Sequence, residues 1–272
     1  MPLPGAGPVV GVADCAPDWL ALREPADAAA RSAELVDLLT AHLPDRRSWV
    51  VRDLGCGTGS MGRWLAPRLP GAQHWLLHDR DPALLALAAL PGASADGGPV
   101  TVRTVPGDVT ITAATLAGTS LVTASALLDL LTTEQVDALA AACVAAGCPA
   151  LLTLSVIGRV LLDPPDLLDA RVAAAFDAHQ RRDLDGRRLL GPDAPAVAAV
   201  AFARHGWTVH RRPSPWRLEP GPLADEWLAG WIASAREQDP DLPLDGYRAT
   251  PPLRAVVGHE DLLALPPGGG AP

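Results

Sequence analysis

Short, mostly apolar segments alternate with helix-like segments along the chain, and this alternation limits the fold more than any other feature of the sequence. Continuous apolar strands of this kind are typical of sheets that are buried on both faces. Parallel strands are joined by right-handed crossovers that usually contain a helix. The alternation therefore predicts a doubly wound, mostly parallel α/β sheet with helices on both faces. The predicted strands are residues 49–51, 74–78, 100–105, 121–123, 150–155, 207–209 and 255–257.

The predicted elements divide the chain into a main domain and three smaller parts. Residues 1–45 are expected to form an N-terminal helical cap, with Pro25 in the first turn of its helix. The main domain is expected to span residues 46–265. The alternation breaks at about residues 158–191, which predicts an insertion after the fifth strand. Residues 266–272 are expected to form a flexible tail.

Two further helix starts have recognisable capping signals. Asp81 followed by Pro82 combines a good N-cap residue with proline at the first helical position, and this helix is predicted to run to Leu90. Thr132 and Gln135 have the spacing of a capping box, which predicts the start of another helix. These signals support the alternation of strands and helices.

Composition excludes several classes of function. The 272 residues include 22 basic and 31 acidic side chains, a net charge of −9, and only 4% are aromatic. General nucleic-acid binding is disfavoured, because it needs a basic face or a series of stacking rings. The chain has no lysine, which excludes a Walker-type phosphate loop, a Schiff-base enzyme and a lysine general base. We therefore expect a small molecule as the partner.

Cysteine spacing and hydropathy bear on compartment and membrane. The four cysteines are Cys15, Cys56, Cys143 and Cys148. No C-x-x-C pair is present, so we expect a reduced, cytoplasmic protein with no metal site. Residues 138–158 are uncharged, but Gly147 and Pro149 interrupt them, which favours a helix followed by a buried strand over a membrane span. The first eight residues lack the pattern of a secretory signal.

A glycine-rich turn directly after the first predicted strand is the strongest functional signal. It reads Asp53-Leu54-Gly55-Cys56-Gly57-Thr58-Gly59-Ser60. Glycines at this place in a doubly wound sheet permit a tight turn and let a ligand approach the backbone closely. Residues 57–62 also satisfy G-x-G-x-x-G, the dinucleotide fingerprint. An NAD(P)-dependent oxidoreductase is therefore one interpretation.

Three carboxylates near the predicted strand ends favour a different ligand. Asp53 precedes the glycines, where a negative charge would repel a pyrophosphate and attract an ammonium group. Asp79 ends the second predicted strand and could accept hydrogen bonds from ribose hydroxyls. Asp108 follows the third strand and could meet an adenine amino group. Ammonium, ribose and adenine together describe S-adenosylmethionine.

Residues 53–60, 78–82 and 107–109 resemble, in their order and spacing, the successive cofactor motifs of class I S-adenosylmethionine-dependent methyltransferases. The resemblance implies a Rossmann-like sheet of seven strands with the last one reversed, S-adenosylmethionine as the cofactor, and methyl transfer as the activity. It implies that the glycines line the methionine part, that Asp79 holds the ribose and that Ser125 closes the site. The expected cofactor-binding residues are Arg31, Asp53, Gly55, Cys56, Gly57, Gly59, Asp79, Arg80, Asp108, Val109 and Ser125.

The acceptor side has weaker signals. Residues of the N-terminal cap, a polar group after the fourth strand and the insertion are the three candidate sources. The expected substrate-binding residues are Trp19, Arg23, Arg159 and Arg182, and the expected catalytic residues are Asp129 and His179. Each has a plain structural alternative: a solvated arginine of a helix, an exposed acid or helix cap for Asp129, or a surface histidine for His179.

Arginines are frequent between residues 158 and 191 although the chain as a whole is acidic. The arginines that could face the pocket are Arg159, Arg181, Arg182, Arg187 and Arg188. If these side chains do face the pocket, we expect the acceptor to be a small anion. Residues 179–180, 190–192 and 214–218 resemble a bacterial subset of the methyltransferases, which implies no particular substrate.

Three functions stay open at this point: a small-molecule methyltransferase, an NAD(P)-dependent oxidoreductase, and a non-methylating protein that binds S-adenosylmethionine on the same fold. The sequence is compatible with a monomer or a homodimer.

Overall fold

The computed structural model describes residues 16–43, 46–107, 116–247 and 254–268. The strands in these ranges are β1 (Ser48–Leu54), β2 (Ala72–Asp79), β3 (Val100–Pro106), β4 (Leu121–Ser125), β5 (Ala150–Asp163), β6 (Asp183–Leu184), β7 (Arg187–Arg188), β8 (Thr208–Pro213), β9 (Trp216–Leu218) and β10 (Arg254–Leu265). The α-helices are α1 (Pro17–Ala30), α2 (Ala33–His42), α3 (Ser60–Leu65), α4 (Pro82–Leu87), α5 (Thr133–Ala146), α6 (Asp169–Gln180), α7 (Ala194–Ala203) and α8 (Pro222–Gln238).

The central sheet has eight of the described strands. Seven follow the order β3-β2-β1-β4-β5-β10-β8, and β9 pairs with the outer part of β10. The pairs among β1 to β5 are parallel, whereas β10 is antiparallel to β5, β8 and β9. This confirms the predicted doubly wound sheet with a reversed final strand. The eighth strand, β9, was not expected; buried Trp216 and Leu218 hold it against β10.

Two apolar layers cover the faces of the sheet. On one face, Leu54 and Leu152 pack with Leu139 of α5 and Phe202 of α7. On the other face, a second cluster joins the sheet to α2 and α3. Helices on both faces leave the carboxyl ends of the parallel strands as the open edge of the sheet, where ligands bind in folds of this kind.

The N-terminal helices differ from the prediction. Helix α1 begins at Pro17, so Pro25 lies inside it and not in its first turn. Pro17 takes the first-turn position, where a missing backbone N–H costs nothing. The helical segment then ends after Ala30, and α2 begins separately at Ala33. The predicted single helix is therefore two helices joined by a two-residue bend.

The fifth strand also differs from the prediction, because β5 is 14 residues long and its last part, residues 158–163, lies in the region expected to be an insertion. Its outer half pairs with β10, with Asp163 opposite Arg254, and Leu162 is buried there. Antiparallel pairing with β10, a strand much later in the chain, thus keeps β5 extended past Gly158, where the sequence pattern suggests a break. Helix α6 and the short β6–β7 hairpin come after β5 in the chain.

The predicted capping signals are confirmed. Asp81 accepts hydrogen bonds from the backbone N–H groups of Ala83 and Leu84 at the start of α4, which ends at Leu87, three residues earlier than expected. Thr132 and Gln135 form a complete capping box. No helix in the described ranges combines the length and the apolar character required to cross a membrane.

Candidate functional site

A cleft lies at the carboxyl ends of β1 and β4, where the strand order of the sheet reverses. Its floor is the glycine turn after β1 and its roof is the underside of α1. The described residues that line it are Leu20, Arg23, Asp27, Asp53, Gly55, Cys56, Gly57, Thr58, Ser60, Met61, Ser125 and Ala126. The fold therefore brings the predicted glycine turn, Asp53, Arg23 and Ser125 to one place.

The glycine turn uses its own backbone donors to hold its shape. Gly57 and Gly59 have φ values of 54° and 89°, which residues with a side chain rarely adopt. The N–H of Gly57 donates to Asp79 Oδ2 at 2.8 Å, and the N–H of Gly59 donates to the Cys56 carbonyl at 2.8 Å. The Cys56 N–H donates to the His78 carbonyl at 2.9 Å. These donors are thus already engaged, unlike those of a loop that cradles phosphate.

The third glycine of the dinucleotide fingerprint, Gly62, has a packing explanation. A Cβ at Gly62 would lie 2.3 Å from Leu90 Cδ2, so the small residue lets the chain after α4 pack closely on α3. The match to G-x-G-x-x-G therefore does not require a dinucleotide.

Asp79 joins the glycine turn to the loop after β2. Besides the Gly57 contact, its Oδ1 accepts a hydrogen bond from the Asp81 N–H at 3.0 Å. Each carboxylate oxygen can accept more than one hydrogen bond, so capacity for ligand hydroxyls remains. Arg80, predicted to bind the cofactor, is exposed directly after Asp79. Asp108 and Val109, predicted to flank adenine, lie outside the described residues.

Asp53 is a fully buried carboxyl group with one oxygen unused. Its Oδ1 accepts a hydrogen bond from the Thr123 hydroxyl at 2.7 Å, while Oδ2 has no partner among the described residues. Burial raises the pKa of Asp53 to about 7, against the opposing effects of Thr123 and the positive charge of Arg31. A cationic group placed at Oδ2 would stabilise the ionised form.

Arg31 lies in the bend between α1 and α2, and its side chain is completely buried. Its Nη2 donates to Ser60 Oγ at 3.1 Å and to Ser125 Oγ at 3.0 Å, both of which belong to residues that line the cleft. Nε and Nη1 have no partner among the described residues. Burial lowers the pKa of Arg31, and the nearby Asp27 opposes this effect, with 4.0 Å between the charged atoms. Arg31 is thus a buried cation with two free donors.

A second arginine, Arg23, is held rigidly in the roof. Its Nε and Nη2 donate to both oxygens of Asp27 at 3.0 and 3.1 Å. The indole N–H of Trp216 donates to the same carboxylate at 3.0 Å, and the guanidinium lies 4.8 Å from the centre of the Trp216 ring. Trp19 packs edge-on against Trp216 at 6.4 Å. Paired, stacked arginines of this kind lose little freedom when they bind an anion.

Two contacts hold helix α1 above the glycine turn. Leu20 lies so close to the turn that a Cβ at Gly57 would be 3.1 Å from Leu20 Cδ1. An ion pair between Glu24 and Arg63 of α3, 2.6 Å long, ties the middle of α1 to the helix after the turn. The roof and the floor of the cleft are therefore connected directly.

Asp129 lies in the 3₁₀ turn after β4 (Leu128–Leu130) and is half-buried. Burial raises its pKa, and the positive charge of Arg23 opposes this. Asp129 is not among the described residues that line the cleft.

The structure separates the predicted residues of the insertion from the cleft. His179 of α6 is buried, its Nε2 lies 3.3 Å from Glu237 of α8, and its Nδ1 lies 3.2 Å from Arg182 Nη1. Arg159 is exposed on the outer half of β5. Neither His179, Arg182 nor Arg159 is among the described residues that line the cleft. Because α6 packs on α8, its polar groups pair with that helix instead of reaching the strand ends.

Sequence reasoning gave no role to several residues of the site, among them Asp27, Thr123 and Trp216. Asp27 follows Arg23 by four positions, which is the spacing of an ion pair on a helix and could have been used. Thr123 had no local signal, and the resemblance of residues 214–218 gave Trp216 no role. Strand pairing brings Thr123 to Asp53 across 70 residues, and the packing of α1 on β9 brings Trp216 to Asp27 across 189 residues.

No protein-family model matches the sequence, and no curated protein matches it. Among solved structures, the chain is similar to the cyclopropane synthase MmaA2 from Mycobacterium tuberculosis, with 12% identity, 92% of this chain and 94% of the other covered, and a TM-score of 0.52. A cyclopropane-fatty-acyl-phospholipid synthase-like protein from Lactobacillus casei has 15% identity, 91% and 99% coverage and a TM-score of 0.49. A SAM-dependent methyltransferase from Methanosarcina mazei has 11% identity, 82% and 95% coverage and a TM-score of 0.45.

The likeness to the Mycobacterium protein extends over nearly all of both chains. Together with the strand order and the reversed β10, it identifies the fold as Rossmann-like. This is the fold that the three cofactor-like motifs predicted.

Proposed function

We propose that this protein binds S-adenosylmethionine in the cleft and transfers its methyl group to a small-molecule acceptor. One observation carries the proposal: two buried groups of opposite charge near the ends of β1 and β4, Arg31 and Asp53, have hydrogen-bonding atoms that no described residue engages. A buried polar atom without a partner is costly, and a ligand that pairs with it removes that cost. The α-carboxylate and α-ammonium of an amino acid supply the two matching groups.

The rest of the cofactor follows from this orientation. With the methionine end at Arg31 and Asp53, the nucleoside extends along the glycine turn towards Asp79, whose free lone pairs suit ribose hydroxyls. Gly55, Gly57 and Cys56 form the floor beneath it. The adenine contacts assigned to Asp108 and Val109 remain a prediction.

When bound, S-adenosylmethionine supplies a methyl group that is already activated by the positive sulfur. The protein then has to hold the acceptor in line with that methyl group and keep water out. Helix α1 closes the cleft from above, with Leu20 against the glycine turn. Arg23 lines the cleft from α1, and the acceptor is proposed to lie next to it.

We propose that the acceptor is a small anion recognised by Arg23. Two of the nitrogens of Arg23 are engaged by Asp27, whereas Nη1 makes no hydrogen bond to the described residues. The neighbouring rings of Trp19 and Trp216 favour a flat or apolar portion next to the negative group. Of the three arginines that the sequence assigned to substrate binding, Arg23 is the one among the described residues that line the cleft.

Asp129 is proposed to accept a hydrogen bond or a proton from the acceptor. A carboxyl group whose pKa is raised by burial is a better general base than an ordinary surface aspartate. A base is needed only if the acceptor atom loses a proton during methylation. His179, the other predicted base, has its ring nitrogens directed to Glu237 and Arg182.

The proposal includes a cytoplasmic location in a bacterial cell and action as a monomer or homodimer, as expected from the sequence. Support for the reducing compartment is the absence of any C-x-x-C pair among the four cysteines. Sedimentation of the purified chain would measure the oligomeric state.

Calorimetry with S-adenosylhomocysteine and with NAD tests the cofactor. We expect S-adenosylhomocysteine to bind and NAD not to bind, because the backbone donors of the turn are already engaged. Arg31→Gln and Asp53→Asn should weaken binding, whereas Arg159→Gln, on the exposed part of β5, is the matched control. NAD binding with no S-adenosylhomocysteine binding would refute the proposal and favour an oxidoreductase.

Methyl transfer itself needs a product. The purified protein, incubated with labelled S-adenosylmethionine and a bacterial metabolite extract, should yield a labelled small molecule that mass spectrometry identifies as an acid. Binding of the cofactor without any labelled product across extracts would favour the non-methylating alternative.

A further inference from the structure

Asp261 of β10 reaches the bend that carries Arg31, although the two are far apart in the chain. Its Oδ2 accepts a hydrogen bond from the backbone N–H of Ser32 at 2.8 Å, across 229 residues. Arg31 and Ser32 are the two extended residues between α1 and α2, with φ/ψ of −58°/137° and −75°/107°. The Ser32 side chain makes no cap hydrogen bond to α2, and the contact with Asp261 holds its backbone N–H.

The other oxygen of Asp261 is bound with equal geometry. Oδ1 accepts a hydrogen bond from the N–H of Leu154 in β5 at 2.8 Å. Leu154 is fully buried and has a φ of 56°, which is strained for a residue with a side chain. The register between β5 and β10 shifts between Glu260 and Leu262, at Asp261 itself. The two strands are therefore deformed where this carboxylate points inwards.

Asp261 is fully buried, and burial raises its pKa, against the opposing effects of its backbone hydrogen bonds from Leu154 and Ser32 and of the positive charge of Arg31. The Arg31 side chain is held at one nitrogen by Ser60 and Ser125, and its own N–H donates to the Asp27 carbonyl. The following backbone N–H, that of Ser32, donates to Asp261. Removing that contact would let the bend move and carry the free nitrogens of Arg31 away from the cleft.

We propose that Asp261 is a positioning residue for the methionine end of the cofactor, acting through Arg31. The inference rests on the proposed function, because it assumes that Arg31 receives the α-carboxylate of S-adenosylmethionine. It predicts that Asp261 matters for ligands with that carboxylate and not for ligands that lack it. A purely structural anchor would affect both kinds of ligand equally.

The test compares two ligands on Asp261→Asn. The variant keeps the shape of the side chain but replaces one carboxylate oxygen with an NH2 group. Because both oxygens of Asp261 accept from backbone N–H groups, this donor faces another donor and one hydrogen bond is lost. We expect the affinity for S-adenosylhomocysteine to fall about tenfold, as for the loss of one well-placed charged hydrogen bond. The affinity for decarboxylated S-adenosylmethionine, which keeps the ammonium, ribose and adenine, should stay within about twofold of the wild type. Asp177→Asn, a partly buried carboxyl group of α6 outside the cleft, is the matched control.

A double-variant cycle adds a second readout. In an Arg31→Gln background, Asp261→Asn should cause little further loss of S-adenosylhomocysteine affinity, because the route through Arg31 is already absent. Full additivity of the two losses, or an equal loss for both ligands, would overturn the inference. If the wild type binds neither ligand, the proposed function fails, and this inference fails with it for that separate reason.

If Asp261→Asn does not fold, hydrogen exchange of the wild-type protein tests the inference instead. The Ser32 N–H should exchange slowly in the ligand-free protein, since Asp261 holds the bend before any cofactor arrives. Rapid exchange of this proton, with its neighbours in α1 and α2 protected, would overturn the inference.

Discussion

The backbone N–H of Gly57 donates to Asp79 Oδ2 at 2.8 Å, so the glycine turn and the end of the second strand form one unit. The turn is therefore not simply a flexible stretch of glycines. Its shape depends on a carboxylate 22 residues further along the chain, and the same carboxylate is the proposed ribose ligand. The Asp79 side chain thus holds the shape of the glycine turn and is also the proposed ligand of the nucleoside.

Asp79→Ala should therefore weaken cofactor binding through two effects at once. The variant removes the acceptors for the ribose and releases the Gly57 N–H, which is half-buried and can bond to water, so the expected loss of stability is about 1 kcal/mol. We expect the melting temperature to fall and the affinity for S-adenosylhomocysteine to drop by at least about tenfold. Asp81→Ala is the control: it removes the cap of α4 and costs about 1 kcal/mol of stability, but leaves the affinity unchanged. Equal affinity of the Asp79 variant and the wild type would contradict the assignment.

Cofactor binding should depend on pH through Asp53. Its pKa of about 7 in the ligand-free protein means that the carboxyl group is mostly protonated at pH 6 and mostly ionised at pH 8. If the ammonium group binds the ionised form, affinity for S-adenosylhomocysteine should be about tenfold lower at pH 6 than at pH 8. Titration calorimetry at both values measures this, and Asp53→Asn should bind weakly and without that dependence. A variant that keeps the full pH dependence would assign it to another group.

The same group should make the ligand-free protein less stable as the pH rises. The folded pKa of Asp53 lies above the unfolded value of 3.8, so the folded state holds the proton more tightly between about pH 4 and 7. The free energy of unfolding should fall across this range by up to about 4 kcal/mol from Asp53 alone. Other buried carboxyl groups titrate as well, so the quantity to compare is the wild type minus Asp53→Asn in denaturant melts from pH 4.5 to 8. A flat difference would show that Asp53 is ionised throughout.

Arg23→Gln should affect the acceptor and not the cofactor. The variant removes the charge that faces the acceptor side, while Arg31 and Asp53 stay in place. We expect the KM for an anionic acceptor to rise about tenfold or more, as for the loss of a charged hydrogen bond, with the affinity for S-adenosylhomocysteine within about twofold. Arg182→Gln, paired with His179 away from the cleft, should leave both values unchanged. An unchanged acceptor KM for Arg23→Gln would refute its proposed contact.

Trp216→Phe should loosen Arg23 without removing it. The variant lacks the indole N–H that donates to Asp27 Oδ1, so this buried carboxylate oxygen has one hydrogen-bond donor fewer. The expected cost is about 1–3 kcal/mol of stability, together with a higher acceptor KM. Trp207→Phe is the comparison, because Trp207 packs on Phe202 in the opposite layer of the protein. If both variants change the acceptor KM equally, the effect is general and not specific to the roof.

Local sequence was sufficient for the parts of this protein that near neighbours in the chain decide. The capping box at Thr132 and the cap at Asp81 depend on residues within a few positions, and each formed as predicted. The alternation of strands and helices likewise predicted the doubly wound sheet, because the need to bury apolar strands on both faces leaves few arrangements. The two-helix bend at Arg31 and the long β5 were missed, since contacts with distant strands produce them.

The site itself needed the tertiary structure. The sequence supplied Asp53, Asp79 and Arg31 as candidates, but it did not determine which of their atoms are already bonded and which are free for a ligand. For Asp53 the bonded oxygen is set by Thr123, 70 residues away, and for Arg31 the bonded nitrogen is set by Ser60 and Ser125, 29 and 94 residues away. Such contacts follow from strand register and helix packing, which sum many weak interactions over the whole chain and leave no mark on any short stretch of it.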